Sequence, residues 1–169
     1  EKVTTVFNAI DLSKFPKPSE KVFDPAAPVI GNVARILPAT KGQDVLIRAV
    51  ALLKKKYPDI RCLFAGGPPQ GRPEELQQLV DLTDALGLSE NIRFVGAISD
   101  VPAFLSQIDI FVLPSRSEGF GISLVEAMAM GIPCVASDLE GPAEVLQAGA
   151  LGQLFTPEDA QSLAQKLEF

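Results

Sequence analysis

Between Ile108 and Ser137 the chain reads as strand, glycine turn, helix and strand in direct succession, which leaves few folds open. Ile108-Asp109-Ile110-Phe111-Val112-Leu113-Pro114 is a short run of large apolar residues stopped by proline, the pattern of a buried strand. Gly119-Phe120-Gly121 then starts an apolar helix that ends with Ala127 to Met130; Gly131 suits the position after its end, and Pro133 bars its continuation. Pro133 to Ser137 is the next strand. This order puts unpaired backbone N–H groups and the positive end of a helix dipole at the carboxyl end of a strand, where open α/β sheets bind ligands. An anion suits such a place.

Two carboxylates, Glu118 and Glu126, stand eight positions apart across this turn. Glu118 precedes the helix, beside the anion site, while Glu126 lies inside it, roughly 7–8 Å further along the axis. A carboxylate accepts two hydroxyl hydrogen bonds at once and so suits a vicinal diol. A phosphate at the helix start with a diol-bearing group on either side describes a nucleotide-sugar. On spacing alone plainer readings stay open: a glutamate favoured near a helix start by the dipole, and a solvated helix glutamate.

The rest of the chain repeats the alternation. Val3 to Val6 reads as a short strand, followed by Asn8 to Phe15 and a loop rich in Pro and Lys to Pro28. Val29 to Ala34 is the first core strand. A loop from Arg35 to Lys41-Gly42 leads to a helix from about Gln43 to Lys56, with one apolar face made by Val45, Leu46, Ala49, Val50, Leu52 and Leu53. Ile60 to Ala65 is a strand ending in Gly66-Gly67-Pro68-Pro69; Pro73 to Leu86 is a helix capped by Gly87; Ile92 to Val95 is a strand; Val101 to Gln107 is a short helix. Gly141 to Val145 is a short helix and Gly152 to Phe155 a last strand, after which Thr156 and Pro157 are placed to open a final helix as N-cap and first residue. Six strands alternating with six helices predict an α/β fold, a Rossmann-like doubly wound parallel sheet with helices on both faces. Arg35 and Lys41 flank a strand-to-helix loop, the right place to clamp a diphosphate, although two solvated surface cations would read the same way.

Composition narrows the chemistry. The chain has no histidine, which removes Ser-His-Asp and Cys-His catalysis and histidine metal ligands. A net charge of −6 argues against a nucleic-acid partner and requires any phosphate site to be local. Cys62 and Cys134 fall in expected buried strands and read as two reduced core thiols of a cytoplasmic protein. No apolar run is long enough to span a membrane.

Glu118-Gly119-Phe120-Gly121, with Glu126-Ala127-Met128-Ala129 and Gly131, Pro133, Val135, Ala136 and Ser137 at their spacing, resembles the signature of the group 1 (family 4) retaining glycosyltransferases. Their fold is GT-B, of which this chain would be one half, and the resemblance covers essentially all 169 residues. It implies an interdomain lead-in segment and loop over 1–27 and a nucleotide-sugar-binding domain over 28–169. It implies that Arg35 and Lys41 stabilise the diphosphate leaving group, with Glu118 as the third catalytic residue accepting from the transferred sugar. Backbone groups at Gly119, Phe120, Gly121, Ile122 and Ser123 would hold phosphate and sugar, and Glu126 the ribose. The turn at Gly66 and the loop at Ile98 would complete the donor site, with the nucleotide base against Ile98. Five residues separate Arg35 from Lys41, a longer variant of the family's usual four. No cofactor and no metal is expected, because cations and a helix terminus supply the electrostatics.

The expected ligand is a UDP-, GDP- or ADP-sugar. The amino-terminal acceptor half would be missing, so the chain should bind nucleotide without transferring sugar, and any membrane contact would come through that other half. It begins without methionine and ends within an expected helix, as a piece of something longer would. Two alternatives remain: a non-catalytic nucleotide-binding or interaction module, and a GT-B-fold epimerase acting on a UDP-sugar.

Overall fold

A computed structural model describes residues 8–16 and 22–168. The strand expected at Val3 to Val6 lies outside the described residues. Six strands, β1 (Val29–Val33), β2 (Arg61–Ala65), β3 (Ile92–Gly96), β4 (Ile110–Leu113), β5 (Cys134–Ser137) and β6 (Gln153–Phe155), form one sheet. Its order is β3-β2-β1-β4-β5-β6 and every pair is parallel. The helices are α1 (Pro38–Lys41), α2 (Gln43–Leu53), α3 (Glu74–Ala85), α4 (Val101–Leu105), α5 (Ile122–Ala129), α6 (Glu140–Val145) and α7 (Ala160–Lys166).

Successive strand residues point to opposite faces, and the core divides accordingly. Ile30, Val112 and Val135 join a cluster with Val45, Leu46, Ile47 and Leu53 of α2, Leu79 of α3 and Leu163 of α7. Val29, Phe111, Leu113, Cys134 and Ala136 join a second cluster with Phe104 of α4, Leu124 and Ala127 of α5, and Leu146. So α2, α3 and α7 cover one face and α4 and α5 the other. Phe64, Phe111 and Phe155 are fully buried; each contributes about 2–3 kcal/mol by leaving water. Both cysteines are buried free thiols.

Three local readings differ from the structure. The helix expected to reach Lys56 stops at Leu53, where Lys54 caps it and donates to the Gly87 carbonyl at 2.7 Å. Pro58 disfavours helical backbone at Tyr57, and the turn closes with Lys56 and Tyr57 N–H donating to the Leu53 carbonyl. The last helix is opened not by Thr156 and Pro157 but by Asp159, whose carboxylate accepts from Gln161 and Ser162 N–H at 2.9 Å each. A carboxylate outranks threonine at an N-cap. Finally, the loop between Arg35 and Lys41 holds a one-turn helix, α1, with Pro38 in its first turn and Gly42 behind it at φ +63°.

Candidate functional site

The chain leaves β1 towards β2 on one side of the sheet and leaves β4 towards β5 on the other. Loops that follow adjacent strands in opposite directions open a crevice between them. Backbone pairing of β1 with β4 runs through Ile30–Ile110 and Gly31–Phe111. Above it a side chain bridges the two strands: the buried Asn32 amide donates to the Val112 carbonyl at 2.9 Å. The crevice holds a cleft of about 600 Å³ lined by Asn8, Val33, Ala34, Arg35, Lys41, Leu113, Glu118, Gly119, Phe120, Gly121, Ile122 and Ser123. Arg35, Lys41 and Glu118 therefore meet, with the glycine turn, in one place.

Arg35 follows β1 and is exposed, with no side-chain partner among the described residues. Its backbone is held firmly: its carbonyl accepts from the buried Gln43 amide at 2.7 Å, and Ile36 N–H donates to the Gly67 carbonyl at 2.9 Å. Gly66, at φ +132°, presses against the Ala34 carbonyl so closely that a Cβ there would collide with it. Gly66 does not line the cleft; it supports the loop that carries Arg35. Ile98 does not line it either, and sits half-buried against the second apolar cluster.

Lys41, the last residue of α1, reaches across the crevice to Glu118, with Nζ 2.8 Å from Oε2. The buried Ser115 hydroxyl donates to the same oxygen at 3.2 Å. Sequence reasoning placed Glu118 in the loop ahead of α5 and Lys41 in the loop after β1; the structure pairs the two across the crevice. The separation of 77 residues explains why no local pattern announced this pair.

Gly121 forms the N-cap of α5 in the left-handed region, at φ +89° and ψ +62°, and no side chain among the described residues caps the helix. Its first two N–H groups, on Ile122 and Ser123, have no partner within the helix and belong to residues that line the cleft. The turn is supported from behind by Gly141 of α6, where a Cβ would run into the Gly119 carbonyl. Glu126 does not line the cleft. It sits half-buried on α5, one turn beyond Ile122, its carboxylate without a hydrogen bond or ion pair among the described residues, and burial pushes that carboxyl above the ordinary value. Among the described residues no group of three or more Asp, Glu or Cys side chains is arranged to hold a metal ion.

Arg116 escaped sequence reasoning. It lies two residues before the motif that starts at Glu118, but its partners come from far along the chain. Its Nη1 and Nη2 donate to Asp44 at 2.6 and 2.9 Å, Nη1 also to the Pro38 carbonyl at 2.7 Å, and Nε to Glu158 at 3.1 Å. Only its neighbourhood to Glu118 could have singled it out.

The sequence matches the family described as Glycosyl transferases group 1 over residues 14–169. It is 31% identical to the lipopolysaccharide core biosynthesis mannosyltransferase LpsB of Rhizobium meliloti (strain 1021), over 95% of this chain and 48% of that protein. It is 34% identical to D-inositol 3-phosphate glycosyltransferase of Mycobacterium sp. (strain KMS), over 99% of this chain and 39% of that one. The chain thus spans about half, or less, of the length of these curated relatives. Among solved structures, Anabaena Alr3699/HepE in complex with UDP and glucose superimposes with a TM-score of 0.83 at 27% identity, over 95% of this chain and 45% of that one. The C-terminal domain of the group 1 glycosyl transferase LpcC from Francisella tularensis gives 0.78 at 28% identity, over 95% of this chain and 86% of that one. These neighbours carry the GT-B glycosyltransferase fold.

Proposed function

Because the chain belongs to the group 1 glycosyltransferases, we propose that it is the donor-binding half of a retaining enzyme and holds a nucleotide-sugar in the crevice between β1 and β4. The observation that supports this most is the meeting of Arg35, Lys41, Glu118 and the uncapped start of α5 around one cleft at the switch point of the sheet. Two cations and a helix N-terminus suit a diphosphate, whose developing charge they stabilise as the sugar departs. Glu118 accepts from sugar hydroxyls and Glu126 from the ribose. The half-buried carboxylate of Glu126, without a partner among the described residues, is costly to maintain without a ligand. No metal has a role in this reading, since the cations carry its charge. Sugar transfer needs an acceptor, which we assign to a second domain.

UDP takes first place among the candidates because the Anabaena relative holds it. Calorimetric titration of the chain with UDP, GDP and ADP, then with the matching sugar-nucleotides, tests the proposal. Arg35→Ala or Lys41→Ala should cost about 1.5–3 kcal/mol of nucleoside diphosphate affinity, the value of a charge-assisted hydrogen bond, with nucleoside affinity unchanged. Failure of all three diphosphates to bind, or equal loss for nucleoside and diphosphate, would overturn it.

A further inference from the structure

We propose that Arg116 is the positioning residue of the diphosphate clamp, acting through Lys41 without touching the nucleotide. The inference rests on the donor-site reading above. Lys41 is carried by α1, a single turn of four residues. One turn of helix has no stability of its own, so something else must fix it. That support comes from Arg116 and its neighbour. The Arg116 backbone N–H donates to the Thr40 carbonyl at 2.8 Å and Ser117 N–H to the same carbonyl at 3.2 Å. The Arg116 guanidinium donates to the Pro38 carbonyl at 2.7 Å and forks onto Asp44, in the first turn of α2. Two carbonyls of α1 are therefore held by the stretch that leads, two residues later, to Glu118.

The consequence is geometric. Main-chain N–H groups, which any residue at 116 keeps, hold the Thr40 end of α1 next to Lys41, while the guanidinium fixes the other end at Pro38 and ties it to α2 through Asp44, so the side chain sets the direction in which the single turn presents Lys41. It also sets the spacing between the Lys41 and Glu118 sides of the cleft, because both hang from the same strap. The guanidinium is only 23% exposed and Asp44 24%. With its donors spent on Asp44, Pro38 and Glu158, Arg116 has little left to offer a phosphate, and it does not line the cleft. A bidentate fork on a carboxylate is rigid in a way that a lysine ammonium is not.

UDP and uridine affinities of the chain and its variants, measured by calorimetry, test the proposal. Arg116→Ala should weaken UDP about tenfold and leave uridine within about twofold, with the melting temperature recorded for each variant. Arg116→Lys should fail to restore UDP affinity, because charge without the fork cannot hold both Asp44 and Pro38. In a Lys41→Ala background, Arg116→Ala should add less than about twofold, since a residue that acts through Lys41 has nothing left to position. Asp44→Asn loosens the same strap if Arg116→Ala fails to fold, and should give the same UDP-selective loss. Multiplying losses in the double variant, full rescue by lysine, or equal loss of UDP and uridine would each overturn the positioning role. Absence of UDP, GDP and ADP binding by the unaltered chain would instead overturn the donor-site reading beneath it.

Discussion

Replacing Glu118 with glutamine removes a negative charge that sits 2.8 Å from the Lys41 ammonium. Lys41 has three N–H donors in tetrahedral array, so a phosphate oxygen bound to a second one would lie about 4.6 Å from the Glu118 carboxylate. At that separation two unit charges repel by about 3–4 kcal/mol at an effective dielectric near 20, and by about 1 kcal/mol if water dominates. The two side chains are 24% and 15% exposed in an open cleft, so the repulsion falls between these limits. Losing the ion pair frees the lysine stem, which costs roughly 1 kcal/mol when it must be ordered again. The net expectation for Glu118→Gln is a free nucleoside diphosphate bound tighter by about 1 kcal/mol, or roughly fivefold. The sugar-nucleotide enjoys the same relief but loses a charged acceptor for its hydroxyls, worth about 1.5–3 kcal/mol, and should bind the same or more weakly. On this expectation Glu118→Gln shifts the preference of the cleft from the sugar-nucleotide towards the free diphosphate. Calorimetry with UDP and a UDP-sugar at low and high salt reads both effects, and the gain for UDP should shrink as salt screens it. If Glu118→Gln weakens UDP and the UDP-sugar alike, the carboxylate is a prop for Lys41 or for the glycine turn, and the repulsion argument fails.

Glu126 should show a trade between stability and binding. Its carboxyl is pushed up by burial, so the folded chain favours the protonated form, and the stability this gives is present below the ordinary carboxylate range and lost as pH rises through the raised value. Glu126→Gln should therefore melt higher than the native chain at neutral pH, the two should converge in acid, and nucleotide should bind the variant more weakly; a lower melting temperature at pH 7 would count against this. Gly42 stands at φ +63° with no room for a Cβ against the Pro114 carbonyl, so Gly42→Ala should cost about 2–4 kcal/mol in denaturant melts, and a loss under 1 kcal/mol would show that the joint between α1 and α2 is soft. Burial pushes the Cys134 thiol up to about 12 and the Cys62 thiol higher still, so neither should react with a thiol reagent in the folded chain, and both should on denaturation. Nucleotide affinity should be unchanged by EDTA or added magnesium; a large gain with magnesium would mean that the two cations do not suffice.

Much of the architecture was legible because it is written locally. Buried parallel strands are short apolar runs, the helices of this fold carry one apolar face, and glycine marks where helices stop: Gly87 and Gly131 both stand at positive φ, as their places after α3 and α5 required. The strand–turn–helix at Leu113 to Ala129 was legible for the same reason. Reading failed where several local signals competed over a few residues. Thr156, Pro157 and Asp159 could each open a helix, and the winner depended on a backbone that passes through a left-handed Glu158. α1 is too short for any periodicity to show.

The sequence by itself determined a parallel α/β sheet and which residues stand at its carboxyl edge. Tertiary structure alone decided that β1 and β4 are the neighbours whose loops diverge, and so that Lys41 meets Glu118 and Arg116 meets Asp44 and Glu158. The physical reason is range. Propensity, capping and periodicity act within a turn or two of chain, whereas ion pairs between residues 42, 72 and 77 positions apart exist only once the strand order has brought their loops together.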